Sequence, residues 1–192
     1  MLLDTERQTY EAMWAVDAYA AFSPGETYLP LFLDMVQTSH GTVLDAGCGS
    51  GKGALALQQA GFEVTACDLT PNGLIPAASG LRFHVVSLWH DLPPQLGYLF
   101  GRQVDYVYCC DVLEHIPLPF TMLVVRNLLA VARKGVFLTI ALQPDQCGVW
   151  VGTALHQSVQ SFVSWRDQLA ELGTVQECRD CLMTGIYYVT PR

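Results

Sequence analysis

Charge is scarce in this chain, and what there is leans to one sign. Asp, Glu, Lys and Arg make up 15% of the 192 residues, and 18 acids against 10 bases leave a formal charge of −8. A protein that clamps a nucleic-acid backbone wants a basic surface, and no Arg and Lys cluster supplies one, which disfavours that class. Long apolar runs are missing too. A membrane-spanning helix needs ~18 uninterrupted apolar residues, and the longest candidate, around 120–132, is broken by Arg126 and Asn127. The first ten residues carry two acids and no basic stretch leading into an apolar one, so no signal peptide is expected and the cytoplasm is the expected compartment. Metal-binding cysteine pairs are nearly absent. Of the seven cysteines, Cys48, Cys67, Cys109 and Cys110 lie in apolar, strand-like segments, and Cys178 and Cys181 form a lone CxxC with no second pair, read as structural.

Apolar material, by contrast, is plentiful at 51%, enough for one well-filled domain over residues 1–192. Strands are expected at 42–46, 63–68, 81–87, 104–111 and 135–142, each nearly continuous in hydrophobicity, as strands buried on both faces are. Helical periodicity separates them. Phe120, Leu123, Val124, Leu128 and Val131 fall on one stripe, and Phe162, Trp165, Leu169 and Leu172 on another, with Gly173 placed to stop the second helix. Two further β-rich segments, 175–178 and 186–189, read as a terminal antiparallel hairpin. The pattern is α/β, five alternating units and a hairpin, preceded by a helical cap over 1–40 that is punctuated by Ser23-Pro24-Gly25 and expected at the sheet edge.

The most informative stretch runs from Val43 to Gly53. A strand ends in Asp45, Gly47, Gly49 and Gly51 follow at every second position, and a helix opens at Lys52 or Gly53. Glycines are needed where a loop turns with positive φ and lets a ligand touch backbone atoms, and the helix start behind them favours a negatively charged group. The spacing is GxGxG, unlike the GxGxxG of dinucleotide folds, and Lys52 comes too early for a Walker loop. Some twenty residues on, Asp68 closes the second strand. A carboxylate there can accept both hydroxyls of a ribose, while Leu69 offers an apolar face to an adenine ring.

With these pieces in order, the chain resembles the class I S-adenosylmethionine-dependent methyltransferases. The resemblance also rests on Ser87-Leu88 at the third strand end, on the segment Cys110-Asp111-Val112-Leu113-Glu114-His115-Ile116-Pro117, and on Trp14 to Glu26 with the late His156 and Trp165, which look like a phage and bacterial branch of that family. It implies a Rossmann-like, seven-stranded, mostly parallel sheet of order 3-2-1-4-5-7-6 with helices on both faces. It implies S-adenosylmethionine as cofactor, with Gly47, Gly49 and Gly51 beside its methionine part, Asp68 at the ribose, Leu69 and Leu88 at the adenine, and Asp45, Asp111 and Val112 completing the cofactor set. Relatives often carry Asp at the position of Ser87, whose shorter side chain puts the adenine contact in question.

Methyl transfer from a sulfonium is an in-line displacement with a good leaving group, so alignment of the reactants is the main task. A base is needed only where the acceptor arrives protonated. Of His84, His90, His115 and His156, the resemblance and topology put His115 and His156 at the methyl rim, as the catalytic candidates. Asp111, Glu114, His115 and His156 taken together would suit a divalent metal and resemble the Glu-x-x-Glu-His plus distant His of small-RNA 2′-O-methyltransferases, with Asp111 in place of the first Glu. An Asp111 that contacts cofactor removes a member of that set, and no metal is assigned. Residues 143–161 are expected to form a substrate lid, with Trp14 and Tyr19 closing the opposite side. The expected activity is methylation of a small-molecule acceptor; the alternatives are a nucleic-acid methyltransferase and a silent cofactor-binding subunit.

Overall fold

A computed structural model describes residues 2–90 and 103–192. Four helices, α1 (Leu2–Trp14), α2 (Asp17–Ala21), α3 (Pro24–Thr27) and α4 (Leu29–Val36), precede β1 (Thr42–Ala46), α5 (Lys52–Gln59), β2 (Glu63–Asp68), β3 (Arg82–Val85) and β4 (Val104–Cys110). There follow α6 (Thr121–Val131), β5 (Ala132–Ala141), α7 (Phe162–Leu172), β6 (Thr174–Asp180) and β7 (Thr184–Thr190). The strands form one seven-stranded sheet in the order β3-β2-β1-β4-β5-β7-β6. Five strands run parallel and β7 is antiparallel to both of its neighbours, as the resemblance implies. Among the described residues, no helix is long and apolar enough to cross a membrane.

Because successive side chains on a strand face opposite ways, the strands feed two cores. Leu44, Val107, Leu138 and Ile140 face α6 and α7, where Val124, Leu128, Trp165 and Leu169 are buried. Val43, Val64, Tyr106, Tyr108 and Phe137 face the other way, toward α4 and α5. Phe32 of α4 is fully buried there, in ring contact with Phe62, Tyr106, Tyr108 and Phe137. The N-terminal helices therefore lie over a sheet face and its rim, where the sequence reading put them at an edge; the apolar Phe32 is what draws α4 onto the face.

Two further differences have local causes. The connection from β2 to β3 contains two 3-10 turns, Pro71–Gly73 and Pro76–Gly80, in place of an α-helix, because proline at each start and glycine at each end leave no run for an i to i+4 ladder. Gly173 does end α7, but with extended backbone (φ −147°). Its missing side chain matters because a Cβ would sit 2.7 Å from Val189 Cγ1 and 2.8 Å from the Thr190 carbonyl. Of the lone CxxC, Cys178 lies in β6 against the core and Cys181 is exposed, both as free thiols.

At the opposite end of the sheet from the glycine loop, Asp105 ties three strands together. It accepts from the Thr42 N–H (3.0 Å), the Thr42 hydroxyl (3.1 Å) and Arg133 (3.1 Å), with Lys134 at 3.3 Å. Burial alone would raise its pKa; the Thr42 N–H, Arg133, the Thr42 hydroxyl and Lys134 outweigh it and hold the carboxyl at about 2. A depressed carboxyl stabilises the fold above the unfolded value near 4 and loses that contribution as pH falls toward 2. Asp105→Ala is expected to cost about 1–3 kcal/mol at neutral pH and to flatten the acid side of the stability profile, read from urea midpoints between pH 7 and 3.

Candidate active site

One cavity of about 660 Å³ opens at the carboxyl ends of the parallel strands, within the ~300–1,000 Å³ common for small-molecule sites. This is where open α/β sheets bind ligands. Its walls come from the loops after β1, β2, β3, β4 and β5, and from α1 to α3. Asp45, Gly47, Gly49, Asp68, Leu69, Ser87, Leu88, Asp111, Val112, His115 and His156 all line it. Gly51 does not. It is buried against Leu74, Ala78 and Leu81 and caps α5 in a left-handed conformation, so its place is behind the loop.

Gly47 and Gly49 have φ of +78° and +52°. A Cβ on Gly47 would lie 2.4 Å from Val112 Cγ2, and one on Gly49 2.8 Å from the Trp14 ring. The sequence reading tied these glycines to a ligand that touches backbone; here the chain's own packing already requires them. The loop is held from below by Asp68, whose Oδ2 accepts the Gly49 N–H at 2.8 Å and whose Oδ1 lies 3.5 Å from the Thr70 N–H. Burial raises the Asp68 pKa, and the N–H groups of Gly49, Thr70 and Leu69 offset part of the rise.

Asp45 is 4% exposed, and its Oδ2 has no hydrogen-bond partner among the described residues. Burial, reinforced by nearby Asp68, pushes its carboxyl up to about 7. Asp111 sits at φ +53°, a region Asp tolerates better than most residues. Its Oδ1 accepts the Thr139 hydroxyl at 2.7 Å, and its N–H donates to the Thr139 carbonyl at 2.9 Å. Ser87 is 2% exposed, and its hydroxyl accepts the His90 N–H at 3.3 Å.

Beyond the ends of β4 and β5, the His115 and His156 rings meet edge to face with centroids 4.8 Å apart. His156 Nδ1 lies 2.7 Å from the Gln143 carbonyl. A carbonyl only accepts, so Nδ1 carries the proton in the neutral ring and Nε2 is the basic nitrogen. Burial, with His156 adding to it, lowers the His115 pKa to about 3. Glu114, wholly buried, uses Oε1 to accept the Ala141 N–H at 2.8 Å. Its Oε2 has no partner among the described residues, and burial followed by the Asp111 charge raises its pKa well above the usual carboxylate range. Ligand atoms of Glu114, His115 and His156 lie within 4.8 Å of one another, while Asp111 is engaged with Thr139, so three of the four groups weighed for a metal cluster together.

The segment expected as a lid is held by Asp145, which accepts the Gly148 N–H at 2.6 Å and the Leu155 N–H at 2.7 Å. Gln143 to Cys147, Leu155 and His156 face the cavity. Trp14 and Tyr19, in ring contact at 5.0 Å, line it as well, with Trp14 lying over Gly49 and Gly73. Sequence reasoning missed Glu6, Tyr10 and Trp89. Glu6 accepts the Trp89 indole N–H at 2.7 Å, and the Tyr10 hydroxyl lies 2.7 Å from His115 Nδ1. The available signal was the i, i+4, i+8 spacing of Glu6, Tyr10 and Trp14, which puts them on one helix face.

A family model described as a methyltransferase domain matches residues 44–138, the span that carries the glycine loop, Asp68, Asp111 and the two central strands. The fold is that of a class I methyltransferase domain. Among curated proteins, the chain is 35% identical over 126 residues to the ubiquinone biosynthesis O-methyltransferase of Bordetella avium, covering 62% of this chain and 52% of that protein. The chain thus spans about half the length of the curated relatives it matches. Solved structures share the fold. The N-methyltransferase NodS from Bradyrhizobium japonicum, in complex with S-adenosylhomocysteine, superposes with a TM-score of 0.70 at 14% identity, covering 97% of this chain and 98% of that one. Magnesium protoporphyrin IX methyltransferase from Synechocystis, with the same product bound, gives 0.63 at 19% identity over 86% and 81% of the two chains.

Proposed function

We propose that the protein transfers a methyl group from S-adenosylmethionine to a hydroxyl of a small-molecule acceptor. The observation that carries this reading is the buried Asp45 carboxyl, whose Oδ2 has no partner among the described residues, in a cavity it shares with Asp68 and the left-handed glycines. A buried acid without a partner is costly, and a ligand ammonium answers it, while the second acid, Asp68, suits a ribose diol. A cofactor with both groups, an amino acid joined to an adenosine, fits that donor set. In this reading Asp45 takes the ammonium, Gly47 and Gly49 border the methionine chain, Asp68 takes the ribose, and Leu69, Leu88 and Val112 are apolar walls, with Ser87 and Asp111 completing the surround.

When bound, S-adenosylmethionine supplies a methyl group on a positively charged sulfur, which leaves as a neutral thioether. The chain's own part is to align the acceptor and take its proton. His156 Nε2 accepts the hydroxyl proton as the oxygen–carbon bond forms and the carbon–sulfur bond breaks, with the sulfur keeping the electron pair. An oxygen acceptor is supported by the O-methyltransferase activity of the Bordetella relative and by the His156 imidazole at this rim. A small acceptor is supported by the cavity's volume of about 660 Å³ and the net charge of −8. Tritiated methyl transfer to a panel of small phenols tests the activity itself.

Cofactor binding has a pH signature. With Asp45 at about 7 in the ligand-free protein, the folded state holds a proton that the unfolded chain has released, so stability falls as pH rises from about 4 through 7. A cationic ligand favours the carboxylate and reverses the burden. Affinity for S-adenosylhomocysteine, which keeps the ammonium, is expected to be about tenfold weaker at pH 6 than at pH 8, and Asp45→Asn to remove the dependence. Calorimetry in two buffers of different ionisation enthalpy reads both the affinity and the proton released. A flat profile in the wild-type protein would refute the role given to Asp45, and no binding at either pH would refute the cofactor.

A further inference from the structure

In the proposed reading the cofactor meets three strand ends in the order in which the sheet sets them side by side. β1 offers Asp45 to the ammonium, β2 offers Asp68 to the ribose, and the loop after β3 offers Leu88 to the base. An adenine ring has apolar faces and a polar edge. Leu69 and Leu88 answer the faces. The exocyclic amino group on the edge is a hydrogen-bond donor, and taking it out of water without an acceptor costs free energy. Ser87 is poorly placed to supply one, since it is 2% exposed and its hydroxyl oxygen accepts the His90 N–H at 3.3 Å.

Among the described residues, five acids line the cavity: Glu6, Asp45, Asp68, Asp111 and Asp145. Asp45 and Asp68 are used by the cofactor reading, Asp111 accepts the Thr139 hydroxyl, and Asp145 accepts the N–H groups of Gly148 and Leu155. Glu6 is left over. It stands on α1, and its Oε2 accepts the Trp89 indole N–H at 2.7 Å, the one hydrogen bond its carboxylate makes among the described residues. Trp89 follows Leu88 directly, and its ring is stacked on Phe120 with centroids 4.9 Å apart. The bond thus ties a carboxylate to the segment that carries an apolar wall for the base and leaves the second oxygen, Oε1, able to accept. The rest of α1 fits the same course. Trp14, eight residues on and about 12 Å along the helix axis, lies over Gly49 and Gly73, so the helix runs from the glycine loop after β1 to the end of β3, as the proposed cofactor does.

We propose that Glu6 is a cofactor-binding residue: anchored through Oε2 by the Trp89 N–H, it accepts the exocyclic amino group of the adenine on Oε1. The proposal rests on the cofactor reading and deepens it. An amino group on a carboxylate is a charge-assisted hydrogen bond, and a base with hydrogen or a carbonyl at that position forgoes it or sets lone pairs against the acid, so the same contact selects the nucleoside. It also gives donor recognition a part that comes from α1, a helix outside the residues that match the methyltransferase family model.

Calorimetry with two ligands tests the proposal without any methyl acceptor. One is S-adenosylhomocysteine; the other is its desamino analogue, in which purine riboside replaces adenosine and hydrogen stands where the amino group was. The wild-type protein is expected to bind the first about 10- to 100-fold more tightly. Glu6→Gln keeps an oxygen for the Trp89 N–H but turns an amide N–H toward the base, and in this variant the preference is expected to fall to about threefold or less, with affinity for the desamino analogue retained. A Glu6 that only braces Trp89 would weaken both ligands alike and leave the preference untouched, which overturns the proposal. A wild-type protein that binds the two ligands equally overturns it with no variant needed. Failure of S-adenosylhomocysteine to bind the wild-type protein refutes the cofactor reading and this proposal together, whereas tight binding with a preference that Glu6→Gln does not change refutes this proposal alone.

Discussion

Replacing His156 with glutamine is expected to lower kcat for methyl transfer to a phenol by about 10²–10⁴-fold, the range for loss of a positioned base, while affinity for S-adenosylhomocysteine stays unchanged. The split follows from where the ring sits. His156 belongs to the segment after β5 and meets His115 ring to ring, whereas Asp45 and Asp68 belong to β1 and β2, so in the proposed reading its removal touches the acceptor half of the cavity. Glutamine keeps a donor for the Gln143 carbonyl but carries no basic nitrogen. Equal losses in turnover and in cofactor affinity would mean that His156 shapes the cofactor half, and an unchanged kcat would show that the acceptor arrives deprotonated.

Asp68→Ala is expected to reverse that pattern, weakening S-adenosylhomocysteine binding by about 1–3 kcal/mol, the range for losing hydrogen bonds to a charged group. Two losses combine. The ribose hydroxyls lose their acceptor, and the Gly49 N–H loses the carboxylate that accepts it at 2.8 Å, which frees a loop whose left-handed conformation depends on being held. Asp68→Asn separates the two, since an amide oxygen still accepts the Gly49 N–H but without the charge, and about half the loss is expected to return. Isothermal titration measures both variants. Wild-type affinity in Asp68→Ala would mean that the ribose lies elsewhere.

The parts of this fold that the sequence announces are those where one physical requirement dominates. β1 and β2 fall at 42–46 and 63–68 as read, because a strand buried on both faces leaves an unbroken apolar run and a glycine or an acid marks where it must stop. The acids that end strands, Asp45, Asp68 and Asp111, all reach the cavity for the same reason: topology puts every parallel strand's carboxyl end on one rim. Gly51 misled because a regular GxGxG spacing says nothing about which glycine faces ligand and which faces the core. Glu6, Tyr10 and Trp89 were missed because their partners are more than eighty residues away in sequence; a helix face shows that Glu6, Tyr10 and Trp14 point together, and only the fold shows at what. The tautomer of His156 was out of reach for a similar reason, since it is set by the Gln143 carbonyl, which no side-chain pattern encodes.

The cavity draws on two kinds of material. The loops that follow β1, β2 and β4 fall inside the stretch shared with the methyltransferase family, whereas Glu6 to Tyr28 and Gln143 to His156 fall outside it. Under the proposed function, Gln143 to His156 is the piece in which the choice of recipient can change, while α1 is constrained by Trp14 lying against Gly49 and Gly73.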